Sequence, residues 1–142
     1  MQDDVSPKVK QLAHRLIEFE TGTATAASVG DHKSTAFRVC EKLRPPLSRL
    51  AGVAGFRSLL SRALALASGE VRWLKAIHIG ADGLLEGLND TQAQLSQQTI
   101  DEGEVLLVAH LIGLLVTFIG EGLTMHLLLE AWPDVAFDDR QV

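Results

Sequence analysis

A single cysteine, Cys40, among 142 residues excludes a disulfide scaffold within one chain and a cysteine-based zinc site. Tyrosine is absent and aromatic residues make up 5% of the chain, so the rings on which single-stranded nucleic acid stacks are scarce. Four prolines and twelve glycines are too few for a fibrous or linker protein. No two of the five histidines stand three or four positions apart, which removes the paired imidazoles of a helical metal site. No nucleophile elbow, P-loop or dinucleotide glycine motif occurs, and Gly80-Ala81-Asp82-Gly83 reads as a turn rather than a phosphate cradle. No catalytic residue, cofactor or metal is implied, and an enzyme is the less favoured class.

What the chain does contain is apolar: 46% hydrophobic residues against 22% charged. A chain of this length suits one domain, residues 1–142, and buries about 68–70% of its unfolded surface without a staple. Its opening, Met1-Gln2-Asp3-Asp4, is acidic, unlike the basic start of a secretory signal, so the expected location is the cytoplasm.

Periodicity points to helices. Ser6-Pro7 offers an N-cap and a first helical proline. Val9, Leu12, Ala13, Leu16 and Ile17 then recur on one face. Gly22 is a plausible stop, and residues 21–34, small and polar, read as a flexible loop. A second helical seam runs through Ala36, Cys40, Leu43, Leu47, Leu50 and Ala54, with a break or sharp kink expected at Pro45-Pro46. Beyond it the chain is apolar almost all round as far as Ala67, which predicts burial. Val71, Trp73, Ile77 and Ile79 alternate with other residues ahead of Asp82-Gly83, so residues 71–88 read as a β-hairpin. Val71, Leu74 and Ile77 would equally share a helical face. Asn89-Asp90 can cap a short helix, Thr99 and Glu102 have the capping-box spacing, and residues 105–132 form one long apolar helix before Pro133. Residues 134–142 read as a frayed tail. The expected fold is mainly α: a compact bundle of four to six helices with a long central C-terminal helix and one short hairpin.

Charge is unevenly distributed. Nine of the thirteen Lys and Arg fall between residues 33 and 75, whereas residues 76–139 hold eleven acids and no Lys or Arg. Such a layout suits either neutralisation inside one molecule or association between opposite faces. With a pI near 5.5, few aromatics and no recognition signature, nucleic acid is not an expected partner.

The C-terminal apolar segment raises the question of a membrane. From residue 105 its uninterrupted part ends at Gly120, short of the roughly 20 residues a span needs, and Glu121 and His126 interrupt its extension. A buried central helix is the preferred reading, with conditional insertion into a membrane as an alternative. On a straight helix His110, Gly113, Thr117, Gly120, Glu121 and Thr124 share one side. His110, Thr117, Glu121 and Thr124 are therefore the candidate polar seam or ligand cleft. A buried Glu121 would need a partner, and Arg44, Arg49, Arg57 and Arg62 are the candidates. Cys40, on the apolar seam, reads as inert core. The function expected is a non-catalytic interaction module whose partner is itself or another protein. The alternatives are a conditionally membrane-associating protein and a small-ligand binder or enzyme.

Overall fold

The structure, a computed structural model, describes residues 6–27, 35–81, 83–87, 91–92 and 95–135. Helix α1, Pro7–Ala27, starts where Ser6-Pro7 predicts: the Ser6 hydroxyl accepts from the Val9 N–H at 3.2 Å. Its stripe from Val9 to Ile17 is buried. The helix runs on through Gly22 to Ala27, so residues 21–27 are helical rather than the loop their composition predicts; residues 28–34 lie outside the described residues.

Helix α2 covers Thr35–Ser68. It is not broken at Pro45-Pro46. The break lies at Gly52, with φ 81 and ψ 163, a region open essentially to glycine alone. An internal proline costs a helix about 3 kcal/mol, and here Leu43, Pro46 and Leu47 are all buried on the seam, which offsets that loss. Nor is the stretch after the prolines buried throughout: Leu50 and Val53, on either side of Gly52, are exposed, and only from Phe56 does α2 return to the core.

A 3-10 turn, Arg72–Ala76, occupies what alternation marks as strand. The hairpin is confined to β1, His78–Ile79, and β2, Leu85–Glu86, paired antiparallel with His78 opposite Glu86. The expected cap Asn89-Asp90 falls outside the described residues. Helix α3, Gln97–Ile119, begins ahead of Thr99, because Ser96 is its cap and accepts from the Thr99 N–H at 3.2 Å.

The expected single C-terminal helix is two. Gly120, with φ 89 and ψ 159, ends α3 and begins α4, Glu121–Ala131. Its N–H donates to the Val116 carbonyl at 2.9 Å while its own carbonyl accepts from the Thr124 N–H at 3.1 Å. The architecture is thus mainly helical, with four long helices and one small hairpin among the described residues. α1 and α2 pack against α3, whose residues from Gly103 to Ile112 are all buried but one, Leu106. Gly103 lets the 3-10 turn lie close against α3: a Cβ there would stand 2.5 Å from the Trp73 ring, whose Nε1 donates to the Thr99 carbonyl at 3.1 Å.

Candidate functional site

The four residues of the expected polar seam do not meet in a cleft. His110 is buried, and its Nε2 lies 3.0 Å from Glu70 Oε2, joining the middle of α3 to the turn just after α2. Thr117 is exposed and donates to the Gly113 carbonyl at 3.0 Å. Thr124 is buried and donates to the Gly120 carbonyl at 2.7 Å. Glu121 is exposed, not buried, and is ion-paired with Lys8 of α1. The cause is the break at Gly120. It ends the straight helix on which the four residues would share a side. It also sets Glu121 at the first position of α4, where a carboxylate faces the positive end of the helix dipole. Among the expected partners of Glu121, Arg49 pairs instead with Glu130, Arg57 and Arg62 are exposed, and Arg44 is half-buried.

The buried carboxylate of this molecule is one that periodicity misses. Glu20 is 1% exposed. Its carboxylate lies 3.4 Å from Arg38 Nε and 2.5 Å from Lys42 Nζ, and accepts from Trp132 Nε1 at 2.8 Å. The Arg38 guanidinium also donates to the Glu20 carbonyl at 2.7 Å. Lys42 Nζ sits 5.7 Å from the centroid of the Phe19 ring and 5.9 Å from that of Trp132, within cation–π range. One carboxylate thereby joins α1, α2 and the residue just beyond α4. A buried charge must be paired to be tolerated, and this one is. The clue in the sequence is the spacing: Glu20 falls three and four residues after Ile17 and Leu16, on the same stripe.

A second buried acid, Glu104, accepts from Gln92 Nε2 at 2.8 Å. Burial, and to a lesser degree the Glu104 carboxylate, pushes the Cys40 thiol up to about 12. The thiolate is the nucleophile, so this sulfur stays inert at neutral pH. Among the described residues no three His, Cys, Asp or Glu side chains are grouped to hold a metal ion. Two open clefts, of about 780 and 550 Å³, share Glu70, Val71 and Glu102.

Several large apolar side chains among the described residues are exposed. Leu50 and Val53 flank Gly52, Phe118 and Leu123 flank Gly120, and Leu129 lies on α4. Phe118 is 65% exposed, a high value for a large ring. The Arg49–Glu130 ion pair ties α2 to α4, and Leu50 and Leu129 are the chain neighbours of its two members. Compared with known protein families, with curated proteins and with solved structures, the chain matches none.

Proposed function

We propose that this chain is a non-catalytic interaction module that self-associates through the apolar side chains around its two helix breaks. The observation that carries this reading is their placement. The exposed large hydrophobic residues of the described chain all lie on α2, α3 and α4, and four of the five lie within three residues of Gly52 or Gly120. Scattered exposed leucines need no explanation, but grouped ones bordered by charge are the usual mark of a contact surface. The exposed ion pairs Arg49–Glu130 and Lys8–Glu121 lie beside these apolar residues in the chain, next to Leu50, Leu129 and the Gly120 joint.

Light scattering coupled to size-exclusion chromatography, in detergent-free buffer at low and high salt, tests the reading. The expected species is a defined dimer or larger, and Phe118→Glu returns it to the 15.4 kDa monomer. A monomer at every concentration and both salts contradicts it. A lipid surface is the second reading, favoured by one observation: α2 and α3 are both long and apolar enough to cross a membrane, and the apolar window of α2 is only 28% buried. Co-flotation with phosphatidylcholine vesicles, without self-association in solution, would favour that reading instead.

A further inference from the structure

The joint between α3 and α4 bears on the form that the proposed self-association would take. Gly120 is a single-residue connection, and no atom lies within 4 Å of where a Cβ would sit. Thr117, Phe118, Glu121, Gly122 and Leu123 around it are exposed, so these residues at the joint are not locked in the core. The helical ladder runs up to the Gly120 N–H and resumes at the Thr124 N–H. A helical Gly120 would carry the same ladder straight across the joint.

Straightening alone is opposed by what α4 covers. Its buried face is Thr124, Leu127 and Leu128, with Trp132 just beyond, whose Nε1 satisfies the buried Glu20 carboxylate. Lifting α4 away would expose that indole and remove one of the Glu20 partners. One ligand fits the emptied seat without any redesign: the α4 of a second copy. Resting on the proposed self-association, we propose that two copies exchange α4, with Gly120 helical, α3 and α4 continuous over residues 97–131, and each α4 seated on α1 and α2 of the other copy. Every tie is then remade between chains, Lys8 to Glu121, Arg49 to Glu130 and Glu20 to Trp132. The bent glycine is relaxed, and Phe118 and Leu123 lie where the two open joints face each other. Exchange of an identical element is a low-cost route to a dimer for this reason.

The test is a double variant, Arg49→Cys with Glu130→Cys, treated with a short bis-maleimide and run on a denaturing gel after isolation of the dimer. Exchange predicts a covalently linked two-chain product. A dimer whose product remains one chain overturns the exchange while leaving self-association intact, and a chain that never dimerises overturns both. Gly120→Ala is the second arm, because a side chain penalises the bent conformation and favours the straight one. It should tighten dimerisation about tenfold or more. Unchanged or weakened dimerisation in a folded Gly120→Ala chain overturns the proposal as well.

Discussion

Gly52 and Gly120 hold almost the same backbone conformation, φ 81 and ψ 163 at one, φ 89 and ψ 159 at the other, and both are flanked by exposed apolar side chains. The segments beyond the two glycines differ. After Gly52 the chain sends Phe56, Leu60, Ala63, Leu64 and Ala67 into the core, a full helical face of apolar burial. After Gly120 only Thr124, Leu127 and Leu128 are buried before the helix ends at Ala131, and polar ties do much of the rest. The same glycine geometry is therefore a fixed elbow in α2 and a releasable joint before α4. In the proposed exchange the difference between the joints rests on what each downstream segment buries, not on the dihedral angles.

The largest effect should come from cutting the tie at the far end of α4. Trp132→Ala deletes a buried indole and removes a donor to Glu20, and should lower stability by about 3–5 kcal/mol, read by urea denaturation. If loss of Trp132 costs no more than a surface substitution, α4 is not anchored there, and the tie to Glu20 that exchange would remake between copies carries no weight.

The first half of α2, ahead of its elbow, can be probed by alkali. Burial raises the Cys40 thiol from an ordinary 9.0 to about 12. Below pH 9 folded and unfolded chains both hold the proton, and Cys40 adds no pH dependence. Between pH 9 and 12 the unfolded chain releases it while the folded chain keeps it, so stability falls with rising pH, by at most about 1.4 kcal/mol per unit. The urea midpoint of the natural chain should drop over this window relative to Cys40→Ala. Equal slopes would mean that this half of α2 opens readily and is no fixed support.

Gly52→Ala should destabilise by about 1–3 kcal/mol, since the region it occupies excludes side chains, yet leave the oligomeric state unchanged. A shift toward dimer like that predicted for Gly120→Ala would make the two joints equivalent. The smallest effect belongs to Lys8→Ala: its ion pair with Glu121 is exposed, and its loss should change stability by no more than about 1 kcal/mol while loosening the start of α4.

How much of this is legible in the sequence depends on how local each signal is. The cap at Ser6, the buried stripe of α1, the hairpin turn near Gly83 and the inert Cys40 each derive from near neighbours, and the mainly helical class derives from their sum. The helix breaks are misplaced by local signals for a physical reason. Pro45-Pro46 carries the stronger signal, but Leu43 and Leu47, buried on its two sides, hold the helix together there. The Gly120-Glu121-Gly122 run carries the weaker signal, and apolar periodicity on both sides disguises it as one helix with a polar seam. Glu20 escapes notice because its partners, Arg38, Lys42 and Trp132, are distant in the chain. A carboxylate on an apolar stripe shows its role only once those partners are in place.

The contrast between the joints is most directly tested by amide hydrogen exchange across residues 53–68 and 121–131, followed from dilute to concentrated protein. At low concentration α4 should exchange much faster than the second half of α2, through local opening at Gly120, and its protection should rise with concentration as a second copy fills the seat. Equal protection of the two segments, unaffected by concentration, would contradict the idea that Gly120 is the releasable joint.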